Sequence, residues 1–129
     1  MRINDQKKNK FDIVAILSNI SDSERLKSIF NEHSPQYVFH AAAYKHVPIV
    51  EENIVDSVKN NVFGTLNVIE IALASNVKKF LLISTDKAVN PTNIMGASKR
   101  IAEICVQAYA NDNEKIRTIF SIVRFGNVL

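Results

Sequence analysis

An α/β fold built around a mainly parallel sheet is predicted by three features of this 129-residue sequence. Short apolar runs alternate with helical patterns along the chain, which is the order of βαβ units with right-handed crossovers. The run over residues 80–83 is continuous rather than alternating apolar and polar, as a strand buried on both faces requires. At 47% apolar residues the chain is also long enough and apolar enough to bury a core of its own.

Residues 13–17 form the first run of strand type. Ser21, with Glu24 three residues on, offers a capping box for a helix that carries Leu26, Ile29 and Phe30 inward, and Pro35 closes that unit. Residues 37–40 read as a second strand, running into Ala41-Ala42-Ala43 and a loop over residues 44–48. Over residues 54–74, Val55, Val58, Val62, Leu66, Ile69 and Leu73 recur at spacings of three or four and predict one long helix with a core-facing stripe. Gly64 inside it implies close approach of another backbone. Residues 80–83 predict a buried parallel strand, followed by a loop with Pro91, a helix over 94–110 and a last strand over 118–124.

The formal charge of +3 comes partly from Lys7, Lys8 and Lys10, so residues 1–10 read as a solvated polar tail on an α/β unit at 11–129, with no nucleic-acid partner. The single cysteine, Cys105, shares a helix face with Ile101 and Ile104 and is expected to be a buried structural thiol of a reducing compartment. No apolar run approaches the ~20 residues needed to cross a bilayer and no signal peptide opens the chain, so it is expected to be soluble and cytoplasmic. His, Cys and carboxylate residues show no zinc spacing, and no metal is expected.

The chemistry gathers where Ser84-Thr85-Asp86-Lys87 leaves the strand over 80–83, at the carboxyl end where open α/β sheets bind ligands. Lys99 follows one turn inside the next helix. An acid, a base and a second lysine around one strand end suit proton and hydride chemistry on an alcohol. Alone, Asp86 and Lys87 would be an ordinary charged turn; the spacing to Lys99 and the flanking motifs favour a site. His40 ends an apolar strand and reads as a satisfied structural histidine, His33 as exposed, and His46 as either packed or ligand-facing. The chain holds only Gly64, Gly96 and Gly126, so it contains no G-x-G-x-x-G phosphate loop.

Four pieces together resemble the extended short-chain dehydrogenase/reductase family: His40-Ala41-Ala42-Ala43 after a strand, Asn61, Ser84-Thr85-Asp86-Lys87, and Arg124-Phe125-Gly126-Asn127-Val128. Within it, Ala43-Tyr44-Lys45-His46-Val47-Pro48, the stretch over 84–93 and that over 123–128 resemble the polysaccharide-biosynthesis nucleotide-sugar dehydratases, UDP-N-acetylglucosamine 4,6-dehydratases in particular. The resemblance covers residues 13–129. It implies a partial Rossmann-like, doubly wound parallel sheet without the first βαβ unit and without a C-terminal substrate domain, so that the chain is an internal piece of a longer protein. The strand at 13–17 would then lack its neighbours, with edges open to self-association. The alternative for the chain alone is a catalytically silent α/β module with poor solution behaviour, at most a weak nucleotide-binding or assembly module.

Most of the superfamily carries Tyr-x-x-x-Lys, and here Met95 stands at the tyrosine position while Lys99 keeps its place. This resembles the long, membrane-anchored branch of the dehydratases, whose catalytic domain lies in the cytoplasm; the parent would be a homo-oligomer acting on a UDP-sugar with NAD. The resemblance implies C4 oxidation, loss of water across C5 and C6 and re-reduction at C6. Thr85 would hydrogen-bond the C4 oxygen, Lys87 and Asp86 would serve as base and acid for the elimination, and Lys99 would hold the nicotinamide ribose. Because Met95 exchanges no proton, Asp86, Lys87 or a water must accept the C4 proton. For the cofactor, the resemblance points to Ile20 and Asp22 near the adenine, to Ala41, Ala42 and Ala43 beside the dinucleotide, and to Lys45 at cofactor or sugar phosphates, with Asn127 a contact to the nucleotide-sugar. Asp22 could instead cap the helix at Ser23, and Asn61 either braces the site or satisfies nearby backbone. A nucleotide-sugar epimerase is the alternative on the same fold.

Overall fold

The computed structural model describes residues 12–111 and 117–126; the basic tail and Asn127 lie outside them. Three strands, β1 (Tyr37–His40), β2 (Lys79–Thr85) and β3 (Ile119–Phe125), form a parallel sheet in the order β1-β2-β3. The helices are α1 (Ser23–His33), α2 (Val47–Glu52), α3 (Ile54–Val58), α4 (Thr65–Ala74) and α5 (Ile94–Asn111), with a π-helical turn (Lys59–Gly64) joining α3 to α4 and a 3-10 turn (Asp86–Ala88) after β2. Among the described residues no helix is long and apolar enough to cross a membrane.

Burial alternates along β2, which corrects the expectation of a strand buried throughout. Phe80 and Leu82 pack on Val68, Ile69 and Ala72 of α4 and on Ala102 and Val106 of α5, with Leu26 and Phe30 of α1 closing the cluster. The register places Tyr37 and Phe39 beside Lys79 and Leu81 on the opposite face, where Phe39 is 72% exposed. All the core contacts among the described residues therefore lie on one side of the sheet.

The predicted first strand is a second correction. Residues 13–17 pair with no strand among the described residues, and Leu17 is 98% exposed. An extended apolar segment becomes a strand only where a neighbour takes its N–H and C=O groups. The capping box also gives way: Asp22, not Ser21, is the N-cap of α1, its carboxylate accepting from the Arg25 N–H at 3.0 Å. The loop expected over 44–48 closes after three residues into α2, with Pro48 in the first turn, where its fixed φ suits a helix and its missing N–H costs nothing.

The single helix over 54–74 is divided by the π-turn, and its buried face differs from the apolar stripe. Val55 is exposed, whereas Ser57, Asn61 and Thr65 are buried. That polar row faces the backbone loop after β1 and His40, whose groups need partners. Gly64 meets a side chain rather than backbone: a Cβ there would stand 2.6 Å from Ile20 Cδ1. Cys105 is only half-buried, and Ile101 and Ile104 beside it are exposed, so the thiol is not the core residue expected, although partial burial raises its pKa.

His40 is buried at the carboxyl end of β1, where its Nε2 lies 2.9 Å from Thr65 Oγ1. The Thr65 hydroxyl donates its one proton to the Asn61 carbonyl at 2.7 Å, so His40 must donate, which selects the neutral Nε2–H tautomer. Burial, with Lys99 nearby, lowers the His40 pKa to about 4. Since the unfolded chain takes up this proton near pH 6.5, the stability contributed by neutral His40 is complete above that pH and is lost as pH falls toward the folded value. Between pH 7.5 and 5.5 the loss should be about 1.4 kcal/mol. Urea titrations at the two pH values should show that slope in the wild type, and a flatter one in His40→Asn.

Candidate active site

β1 ends at His40, opposite Leu82, but β2 runs on through Ile83, Ser84 and Thr85 with only β3 beside it. The chain leaving β1 must turn aside at Ala41, and this opens a crevice along the last residues of β2. A cavity of about 430 Å³ occupies it.

Alternation along β2 directs Ser84 toward α5 and Thr85 away from it. Thr85 caps the 3-10 turn by accepting from the Lys87 N–H at 3.4 Å, and its hydroxyl donates to Asp86 Oδ1 at 3.0 Å. Lys87 Nζ donates to the same oxygen at 3.3 Å. Ala88, wholly buried, anchors the turn. The Thr85 hydrogen bond, then the one from Lys87, hold the Asp86 carboxyl below the usual carboxylate range, so the resting form is the carboxylate.

Across the cavity, α5 begins with its first N–H groups satisfied. Asn93 Oδ1 accepts from Gly96 N at 2.8 Å and Glu51 Oε1, from α2, accepts from Ile94 N at 2.6 Å. Met95 and Lys99, four residues apart, share the inward face and are 4% and 8% exposed. Lys99 Nζ donates to the Ile83 carbonyl at 2.6 Å, and burial pushes its amine below the ordinary lysine value, opposed by the charge of Glu103.

Asn61 locks the loop after β1 to this helix. It accepts from Tyr44 N at 2.7 Å and donates to Tyr44 O at 2.9 Å and to Ser98 Oγ at 3.0 Å. These contacts make it a brace between two walls of the cavity rather than a residue satisfying its own helix. The π-turn that carries it inserts one residue into the helical row, a distortion frequent at functional sites.

The cavity thus brings together Ala41, Ala43 and Lys45 from the loop after β1, Thr85 and Lys87 from the end of β2, and Met95 and Lys99 from α5. Ala42 does not line it, and neither do Ile20 and Asp22. Asp86 borders it beside Gly126, where an added Cβ would stand 3.8 Å from Asp86 Oδ2. His46 is exposed and lines an adjoining, larger cavity of about 570 Å³ that shares Ala43 and Lys45. Sequence reasoning missed Ser84 as a buried polar residue, and Glu103, an acid four residues beyond Lys99 on the same inward face. That spacing was the available signal.

The sequence profile of the polysaccharide biosynthesis protein family matches residues 1–129. The chain belongs to this family. It is 49% identical over 121 residues to the capsular polysaccharide biosynthesis protein CapD of Staphylococcus aureus, covering 94% of this chain and 20% of that protein. It is 39% identical over 113 residues to the UDP-N-acetylglucosamine 4,6-dehydratase (inverting) of Campylobacter jejuni, covering 88% of this chain and 33% of that one. Among solved structures, UDP-glucose 4-epimerase of Thermotoga maritima with UDP-glucose superposes with a TM-score of 0.80 at 27% identity, over 87% of this chain and 40% of that one. The chain therefore spans a fifth to a third of the length of these two curated relatives, and its fold is Rossmann-like. In this family member Lys99 is buried, with the thioether of Met95 buried one turn before it.

Proposed function

We propose that this chain carries the reacting centre of a nucleotide-sugar 4,6-dehydratase of surface-glycan synthesis, acting on a UDP-sugar with NAD. The observation that carries the reading is the placement of Thr85, Asp86 and Lys87 at one strand end, opposite Met95 and Lys99 across a single crevice. The small side chains of Ala41 and Ala43 and the amine of Lys99 suit the nicotinamide-ribose end of the dinucleotide; no glycine-rich loop for its pyrophosphate occurs in this sequence. When bound, NAD supplies a reversible hydride acceptor at this position.

The residues then divide the proton work. Thr85 donates a hydrogen bond to the C4 oxygen. Asp86, a carboxylate at rest, accepts the C4 hydroxyl proton that Met95 cannot take, and becomes the acid that the elimination requires. Lys87, once its ammonium proton has passed to solvent, removes the C5 proton; Asp86 gives its proton to the departing C6 hydroxyl, which leaves as water; and Lys87, whose protons exchange with solvent, protonates C5. Lys99 stabilises negative charge developing on the C4 oxygen. Lys45 lies at the mouth for phosphate, and the resemblance extends the substrate contacts to Asn127. The parent is read as a homo-oligomer with its catalytic domain in the cytoplasm, in the manner of the membrane-anchored branch.

The likeness to a UDP-glucose 4-epimerase structure favours the second reading, epimerisation on the same fold. An epimerase needs one proton-exchanging group at C4, whereas an adjacent acid and base serve an elimination. The full-length protein incubated with UDP-N-acetylglucosamine and NAD+ in deuterium oxide should yield a 4-keto-6-deoxy product carrying deuterium at C5. Recovery of the C4 epimer alone would replace the dehydratase with the epimerase. The chain by itself is expected to give no turnover.

A further inference from the structure

The inward face of α5 carries Ala102 and Val106 against the sheet core, yet between them lies Glu103, with 0% of its surface exposed. An unpaired carboxylate there would be strongly destabilising, and a simple structural contact would be made as well by an apolar residue. The carboxylate is instead fully engaged. Arg124 grips it with both arms, Nε to Oε1 at 2.8 Å and Nη2 to Oε2 at 2.7 Å, and Arg100 Nη1 adds a third bond at 2.9 Å. Burial alone would raise the Glu103 pKa, but these hydrogen bonds prevail and hold it down to about 2. The buried Ser84 hydroxyl faces the same carboxylate without a hydrogen bond of full geometry.

The position of this pair gives it a use. Arg124 is the register partner of Ser84, and the next two residues, Phe125 and Gly126, form the cavity wall beside Thr85 and Asp86. One turn before Glu103 on the same helix face, Lys99 reaches the Ile83 carbonyl. A single helix therefore holds the lysine on one side of the crevice and, through Glu103, the strand end that walls the other.

We propose that Glu103 is a positioning residue: through its bidentate grip on Arg124 it fixes the Phe125–Gly126 wall relative to Lys99, and so sets the geometry in which sugar and cofactor meet. The inference rests on the dehydratase reading for its assay. A displacement of about 1 Å in such a wall costs on the order of 100-fold in rate without removing any reacting group.

In the full-length protein, Glu103→Gln and Arg124→Lys should each lower kcat for 4,6-dehydration of UDP-N-acetylglucosamine by about 10- to 100-fold, with KM changed less than about threefold. The double variant should be no slower than the slower single one, because both substitutions break the same link. Glutamine keeps the shape of Glu103, and Arg124→Lys keeps the cation while losing the bidentate fork, so a folding failure of the first variant leaves the second to decide. Wild-type kcat in either folded variant, or a loss confined to KM, overturns the proposal. If the wild type epimerises rather than dehydrates, the dehydratase reading fails and the same kcat and KM comparison is made on the epimerisation.

Discussion

Asp86→Asn should slow the proposed dehydration by about 10²- to 10⁴-fold, the range lost when a positioned proton-transfer group is removed. Asparagine keeps the shape and can still accept from the Thr85 hydroxyl and Lys87, but it can neither take the C4 proton nor deliver it to the departing C6 hydroxyl. The melting temperature should stay near the wild-type value, because the Asp86–Lys87 ion pair is exposed on both sides and such pairs contribute little to stability. Rapid-quench measurement in deuterium oxide separates the steps. With Asp86 as the first proton acceptor, the variant should fail to accumulate reduced cofactor as well as product. Accumulation of reduced cofactor at the wild-type rate would assign the C4 proton to another group.

Gly96→Ala is expected to damage both stability and turnover, against the usual helical preference. Gly96 is in the first turn of α5 with no positive φ, so alanine would ordinarily stabilise the helix by about 1 kcal/mol. A Cβ at this position, however, would stand 2.5 Å from the Lys87 carbonyl oxygen and 3.3 Å from both the Lys87 carbonyl carbon and Pro91 Cβ. Two of those neighbours are backbone atoms of a turn anchored by buried Ala88, and they cannot swing away as the end of a side chain could. Relief requires α5 or the Asp86–Ala88 turn to move, at a cost of roughly 1–3 kcal/mol that exceeds the gain in propensity. Either movement shifts Lys87 relative to Lys99, and about 100-fold in kcat should be lost with it. Urea unfolding and steady-state kinetics test the two parts; a stabilised variant with unchanged kcat would mean that α5 and the Lys87 turn are not in close contact.

Much of the site was legible in residue order because the signals involved are short-range. Residues 80–83 are apolar and lead directly into Thr85, Asp86 and Lys87, so the strand end and its charged turn could be placed without knowing their neighbours. The same holds for α5, expected over residues 94–110 with Lys99 one turn inside it and found over Ile94–Asn111. The helix over 54–74 was legible only in part. Its amino-terminal half turns polar Ser57, Asn61 and Thr65 inward, against the rule that apolar residues mark the buried face, because that half faces unsatisfied backbone and His40 rather than the core. Residues 13–17 have strand composition, but composition cannot provide a neighbouring strand.

Local chemistry along this chain settles the positions of α1, β1, β2, α5 and β3 and which polar side chains stand at the end of β2. The pairings that set the electrostatics of the site were decided by the tertiary structure alone. Glu103 meets Arg124 across 21 positions of sequence, Asn61 meets Ser98 across 37, and His40 meets Thr65 across 25. Buried polar groups must be satisfied by whatever packing brings within about 3 Å, and that choice depends on how β2, β3 and α5 lie together rather than on spacing within any one of them.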